Sequence, residues 1–174
     1  MMQGIRTLLM ACLTALASSA LAQGGAPVRL VIAFPPGGPV DFVARLLADG
    51  LRKELGQTVI VDNRAGANGG ISAQLVAKSA PDGMTLWFSR AGAVVMNPAL
   101  YQNLTYDVAR DVTPVSLVVN NVEVLVVNAA NPAGSAADLV AISRQQQDPV
   151  PIASSGIGSM PHLAMELLAD SSGA

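Results

Sequence analysis

The chain passes from a hydrophobic run into a glycine turn and then into a helix at Val28-Arg29-Leu30-Val31-Ile32-Ala33-Phe34-Pro35-Pro36-Gly37-Gly38-Pro39-Val40-Asp41. The run 28–33 is short, mainly apolar and rich in β-branched side chains, which predicts a buried strand. Gly37 and Gly38 can adopt backbone angles closed to other residues. Pro39 and Asp41 are typical of a first helical turn. The segment therefore predicts a strand, a tight turn and a helix.

The start of this helix is a candidate anion site. The first N–H groups of a helix have no partner within it and attract negative charge. No lysine follows the two glycines, so the P-loop pattern that cradles nucleotide phosphates is absent. The pattern therefore favours a carboxylate, and a turn that binds no ligand is the alternative on this segment alone.

The first 22 residues have the pattern of a secretory signal peptide. Arg6 is their only charged residue, an apolar run follows from Leu8 to Leu16, and Ala20-Leu21-Ala22 matches the small-residue cleavage pattern. The run is too short for a membrane-spanning helix. We expect cleavage after Ala22. A lipoprotein cleavage at Leu9-Met10-Ala11-Cys12 is the weaker alternative.

Composition limits the classes of partner. Cleavage would remove Arg6 and Cys12 and leave nine basic against twelve acidic residues, a net charge of −3. A mature chain without cysteine has no disulfides and no cysteine metal ligands. Mild acidity without a basic cluster argues against nucleic-acid binding. Because 51% of the residues are hydrophobic and only 3% aromatic, the core must consist of Ala, Val, Leu and Ile.

Strand and helix signals alternate through the first half of the chain. A helix is predicted from Pro39 to Leu55, with Gly56 as its stop. A strand at 58–61, a glycine-rich turn at 63–70, a helix at 71–80 and a strand at 84–89 follow. This alternation predicts a parallel α/β sheet, in which ligands bind at the carboxyl ends of the strands.

The pattern changes after residue 89. Residues 90–111 are predicted to be irregular. Ser135 and Asp138 form a capping pattern for a helix that runs to Gln146. The other predicted elements are strands at 114–119, 122–127 and 150–153, a glycine-containing turn at 154–159 and a helix at 162–169. We expect a signal peptide (1–22), a first α/β domain (27–118), hinge or crossover strands (119–128) and a partial second α/β domain (129–174).

Five motifs together resemble those of one known family. They are Phe34-Pro35-Pro36-Gly37-Gly38, Asn63-Arg64-x-Gly66-Ala67, Ala80-Pro81-Asp82-Gly83, Asn97-Pro98-Ala99-Leu100-Tyr101 and Ala153-Ser154-Ser155-Gly156-x-Gly158-Ser159-x-x-His162-Leu163. In this order, over 27–169, the chain resembles the Bug-type substrate-binding receptors of tripartite tricarboxylate transporters.

The resemblance implies a type II periplasmic-binding fold, in which two α/β domains close on a small carboxylate. It implies a periplasmic receptor rather than an enzyme, with no cofactor or metal. Such a receptor delivers its ligand to membrane permease subunits and is a monomer when full length. The expected ligand-binding residues lie at three strand-to-helix turns: Phe34, Pro35, Gly37, Gly38 and Asp41; Ser89, Arg90, Ala91 and Gly92; and Ser154, Ser155, Gly156, Gly158, Ser159 and His162.

The chain departs from the family pattern in several places. It ends at Ala174, where family members continue, so we expect it to be about the first half of such a receptor. Arg90 stands where a small polar residue is expected, and it either contacts a ligand carboxylate or is an exposed charge at a loop edge. For the turns at 154–159 and 63–66 the structural alternatives are a helix cap and a stabilised turn.

Other chemistries fit these residues poorly. His162 is the only histidine, which leaves few ligands for a metal cluster. No G-x-S-x-G elbow surrounds Ser154 or Ser159. Pro161 occupies the place of the third glycine in a dinucleotide fingerprint. A small secreted α/β enzyme acting on carboxylates, or a fragment without activity, are the alternative functions.

The cleavage site gives a direct prediction. We expect mass spectrometry of the exported protein to find an N-terminus at or next to Gln23, because signal peptidase recognises the small side chains of Ala20 and Ala22. A soluble cytoplasmic protein that retains Met1 would contradict the predicted export.

Overall fold

The computed structural model describes residues 26–146 and 150–173. The predicted signal peptide at 1–22 lies outside them. Three strands, β1 (Val28–Ile32), β2 (Val59–Asn63) and β3 (Thr85–Phe88), form a parallel sheet in the order β2-β1-β3. Leu30 in the central strand lies opposite Val61 and Leu86. The predicted α/β fold class is confirmed.

Helix α1 (Pro39–Leu55) covers β1 and β2 and has the predicted bounds. Gly56 ends it in the left-handed conformation, at φ 63°, and donates its N–H to the carbonyl of Arg52. Ala44 and Ala48 are fully buried against the sheet, and their small side chains allow a close approach to Leu30 and Ile32. The burial of Leu30 and that of Ile32 each stabilise the fold by about 1.5–3 kcal/mol.

Helix α2 (Gly70–Ala77) follows a 3₁₀ turn (Ala67–Gly69) and leads towards β3. Trp87 Nε1 donates to Ser72 Oγ at 3.0 Å, and that hydroxyl donates to the carbonyl of Gly69 at 2.8 Å. The buried hydroxyl of Ser72 therefore joins the strand, the helix and the turn. The helix predicted at 71–80 is present, but it ends at Ala77 rather than at residue 80.

The strand order creates a crevice at the carboxyl-terminal end of the sheet. The chain crosses from β1 to β2 on one side and then returns past β1 to β3 on the other. The connections therefore diverge at the carboxyl ends of β1 and β3. Open parallel sheets bind ligands at this kind of switch point.

Residues 90–111 are more helical than predicted. A π-helical turn (Gly92–Met96) continues into α3 (Asn97–Leu100), and a short helix, α4 (Val108–Asp111), follows. Gly and Asn-Pro are weak helix signals. Tertiary contacts of the buried Asn97 side chain hold this segment, and no local pattern shows them.

The predicted strands at 114–119, 122–127 and 150–153 are wrong in this structure. A strand needs a partner for its N–H and C=O groups, and in the described ranges these segments pair with none. Their apolar side chains are exposed, with Val115 at 86% and Val124 at 76%. The domain division at 118 and 128 stays a prediction.

Two helices complete the described chain. Helix α5 (Ala136–Gln145) begins at Ser135, whose hydroxyl accepts the N–H of Asp138, so the predicted cap is confirmed. Helix α6 (Met160–Ser172) is longer at both ends than the predicted 162–169. Across 26–146 and 150–173 we find no helix of the length and apolarity that a bilayer span requires.

Hydrogen exchange should separate these regions. We expect slow amide exchange in β1, β2 and β3, where ladder bonds are buried, and fast exchange across 112–128. Deuterium uptake measured by mass spectrometry on peptides from both regions tests this. Equal protection of the two would contradict the structure.

Candidate functional site

A cleft of about 480 Å³ lies at the switch point, at the carboxyl ends of β1 and β3. Four segments that follow a strand or precede a helix form its walls, together with Tyr101 at the end of the helix Asn97–Leu100. Its lining comprises Ala33, Phe34 and Pro35; Ala65 to Gly69; Ser89 to Ala93; Tyr101; and Ser155, Gly156, Ile157, Ser159 and Met160.

The cleft brings together nine of the fifteen predicted site residues. These are Phe34, Pro35, Ser89, Arg90, Ala91, Gly92, Ser155, Gly156 and Ser159. The other six, Gly37, Gly38, Asp41, Ser154, Gly158 and His162, lie outside this lining. A larger depression of about 770 Å³ between residues 94 and 110 contains none of the fifteen.

The Asp41 carboxylate organises the glycine turn from within. It is buried and accepts both Nε and Nη2 of Arg45, at 2.9 and 3.0 Å. It also accepts the N–H of Gly37 at 3.0 Å and Nδ2 of Asn63 at 2.9 Å. The hydrogen bonds from Arg45, then Gly37 and Asn63, hold the pKa of Asp41 well below its usual range. The anion at this turn is the chain's own carboxylate.

A second polar network holds the opposite wall. Asn68 Nδ2 donates to Asn97 Oδ1 and to the carbonyl of Gly158, both at 2.9 Å. The buried Asn97 donates to the hydroxyl of Tyr106 at 3.1 Å, and that hydroxyl donates to the carbonyl of Ala93 at 2.7 Å. Burial raises the pKa of Tyr106. The network ties the turn after β2 to the helical segment 91–100 and to the turn before α6.

Two glycines in this wall permit a close approach of the backbone. A Cβ on Gly92 would lie 2.7 Å from Asn68 Oδ1. Gly69 has a φ of 87°, and a Cβ there would lie 2.8 Å from that of Ala93. Gly69 therefore requires glycine, whereas a side chain at position 92 would displace the Asn68 amide.

The turn before α6 is internally bonded. Ser159 is buried, and its hydroxyl donates to the carbonyl of Gly156 at 2.6 Å. His162 Nδ1 accepts the N–H of Gly158 at 3.4 Å, and its Nε2 lies 3.5 Å from Glu166. The serine hydroxyl and the imidazole thus have separate partners.

Arg90 is the only charged residue in the described lining. Its Nη2 donates to Glu123 Oε1 at 2.8 Å, and its Cζ lies 5.2 Å from the centroid of the Phe34 ring. The side chain is partly exposed and lies in the cleft lining, so the choice between a ligand contact and an exposed charge at a loop edge stays a prediction.

Two helix starts line the same space, the helical segment that begins at Ala91 and α6 at Met160. The left-handed turn at Ala67 and Asn68 lies beside them. The first N–H groups of each helix have no intrahelical acceptor and carry partial positive charge. With no acidic side chain in the described lining, the cleft is suited to an anion.

Ten lining residues are absent from the sequence-based selection: Ala33, Ala93, Ile157 and Met160, which each adjoin a selected residue, and two further sets, Ala65 to Gly69 and Tyr101. Both further sets lie in motifs of the sequence, the glycine-rich turn at 63–70 and Asn97-Pro98-Ala99-Leu100-Tyr101. The sequence signal for the turn at 63–70 is that it follows β2, at the same end of the sheet as the turns after β1 and β3. Only the fold shows that Asn68 reaches Gly158, ninety positions later.

Comparison with known proteins identifies the family. Residues 43–174 match the family TctC, described as "Tripartite tricarboxylate transporter family receptor". The chain belongs to this family. The resemblance to Bug-type receptors is confirmed, since Protein BugT of Bordetella pertussis is 40% identical over 142 residues, which cover 81% of this chain and 44% of BugT.

Solved structures agree with this family. R. palustris Rpa4515 with adipate has a TM-score of 0.79 and 36% identity, over 85% of this chain and 50% of its own. The periplasmic binding protein BugD has a TM-score of 0.69 and 33% identity, over 85% of this chain and 49% of its own. The chain spans about half the length of the curated relatives it matches.

The role of Asp41 predicts a pH dependence of stability. A carboxyl group with a lowered pKa in the folded state stabilises the fold above its unfolded pKa of about 3.9, and this contribution is lost as the pH falls through the folded pKa. We expect Asp41→Asn to lower the urea midpoint at pH 7 and to flatten its decline between pH 5 and 3.

The matched control is Asp49→Asn, at an exposed position of the same helix. It should leave both the midpoint at pH 7 and its decline close to those of the unchanged protein. Equal effects of the two substitutions on urea midpoints monitored by circular dichroism would contradict the organising role of Asp41.

Proposed function

We propose that this chain is the ligand-binding part of a periplasmic receptor that captures a small carboxylate and delivers it to a tripartite tricarboxylate-type permease. The observation that carries the proposal is the meeting of two helix starts in a cleft whose described lining contains no acidic side chain. Family membership supports the transport role, and the adipate in the structure of Rpa4515 supports the ligand class.

Main-chain donors can supply the binding energy. Each hydrogen bond to a charged group contributes about 1.5–3 kcal/mol, and each helix terminus contributes up to about 1 kcal/mol at exposed sites. We assign ligand contacts to the nine predicted residues that line the cleft. Gly37, Gly38 and Asp41 act by holding the Phe34–Pro35 wall in place, because the N–H of Gly37 is already bonded to Asp41.

We infer that the function is binding rather than catalysis. A serine nucleophile requires a base within hydrogen-bond reach. The hydroxyl of Ser159 donates to Gly156, whereas His162 is bonded to Gly158 and lies near Glu166. These separate partners support a receptor.

We further propose that high affinity requires the region that the relatives carry beyond the matched half. The apolar side chains of 115–127 are exposed, with Val122 at 80% and Val126 at 78%. Exposed apolar runs of this kind mark surfaces that pack against another element. The added region would cover this run and provide a second wall for the ligand.

Calorimetry with adipate tests the proposal. We expect the 174-residue protein to bind adipate and Ser155→Trp to lose at least about tenfold in affinity, because Ser155 is exposed in the cleft lining and the indole would fill the space.

Ser171→Trp, at the far end of α6, is the matched control and should bind as the unchanged protein does. NMR of the recovered acid should show no product. Chemical conversion of the acid would favour the enzyme alternative, and the absence of carboxylate binding would contradict the proposed function.

A further inference from the structure

The Arg90 guanidinium is held at the cleft by two contacts of different kinds. Phe34, at the end of β1, presents its ring face to the guanidinium at 5.2 Å, which restricts its plane through a cation–π contact. Glu123 accepts one hydrogen bond at 2.8 Å. The side chains of Arg90 and Glu123 are 29% and 37% exposed. The pair therefore lies at the rim, within reach of solvent and of a ligand in the cleft.

The partnership with Glu123 can be exchanged. A guanidinium carries five N–H donors arranged as a fork that fits a carboxylate, and the described residues supply a side-chain acceptor to one of them. An ion pair this exposed is weak because water screens both charges. Glu123 Oε1 also accepts Asn121 Nδ2 at 2.7 Å, so it keeps a hydrogen bond when Arg90 turns away.

We infer that Arg90 determines specificity by receiving a second ligand carboxylate in exchange for Glu123, so that the cleft selects dianions over monoanions. This inference rests on the proposed function, in which main-chain donors hold the first carboxylate. Those donors at the helix starts are available to any anion. Arg90 is the one positive side chain in the described lining, and it therefore distinguishes a ligand with two charges from a ligand with one.

A purely structural role of the pair predicts different behaviour. If Arg90 only tethered residue 123 to the sheet edge, its loss would weaken binding of monoanions and dianions alike. If the exchange occurs, Arg90 affects only the ligand that has a second carboxylate. The ratio of two affinities therefore separates these roles, and a change in stability does not affect it.

Adipate and hexanoate form a matched pair of probes, because each has six carbons and only adipate has a second carboxylate. We expect calorimetry on the 174-residue protein at neutral pH to show about tenfold tighter binding of adipate, the effect of one charge-assisted hydrogen bond. Arg90→Gln should reduce the ratio to near one and leave hexanoate affinity within about threefold.

Glu123→Gln is a second, independent variant. Removing the competing carboxylate should raise adipate affinity about threefold or more and leave hexanoate binding unchanged. Lys53→Gln removes an exposed positive charge on α1, outside the cleft lining, and should change neither affinity.

Each other outcome overturns the inference. A ratio that persists in Arg90→Gln, an equal loss of both ligands, or an adipate affinity that Glu123→Gln does not raise would overturn it and leave the proposed function intact. Failure of the unchanged protein to bind either acid would overturn the proposed function and this inference together.

Discussion

The buried Asp41 carboxylate joins the end of β1, the glycine turn, the start of α1 and the end of β2. Through Asn63 it also acts on the carbonyl of Phe34, because Nδ2 of Asn63 donates to both groups. A buried charge is stable only when it is paired and hydrogen-bonded, and Arg45 and Gly37 complete this requirement. The position of the cleft wall at Phe34 therefore follows from one satisfied carboxylate.

The opposite wall depends on neutral groups instead. Asn68 adopts a φ of 47°, a left-handed conformation that asparagine tolerates better than most residues. Its side chain then reaches both Asn97 and the carbonyl of Gly158. This bridge places the start of α6 beside the carboxyl ends of β1 and β3. Backbone geometry thus brings two helix starts to the cleft, whose described lining carries charge only at Arg90.

The two halves of the described chain differ in how they are stabilised. The sheet with α1 and α2 buries a continuous apolar cluster that includes Val28, Leu30, Ile32 and Val59. Residues 112–128 contribute apolar side chains without a partner strand in the described ranges. Within that extended segment, Glu123 is held to the cleft by its contact with Arg90. The contact between the end of β3 and this segment therefore depends on Arg90, which also lines the cleft.

The sequence by itself determined the elements whose signals are local: β1, α1 with its glycine stop, the alternation that makes a parallel sheet, and the Ser135 cap. Five short motifs in order were also enough to indicate the family. Only the tertiary structure decided that residues 91–100 are helical, that the runs at 114–127 pair with no strand among the described residues, and that Asp41 faces inwards. It also decided that Asn68, Tyr101 and Arg90 share one cleft. These features depend on contacts between residues that are distant in sequence, and neither periodicity nor propensity carries information about such contacts.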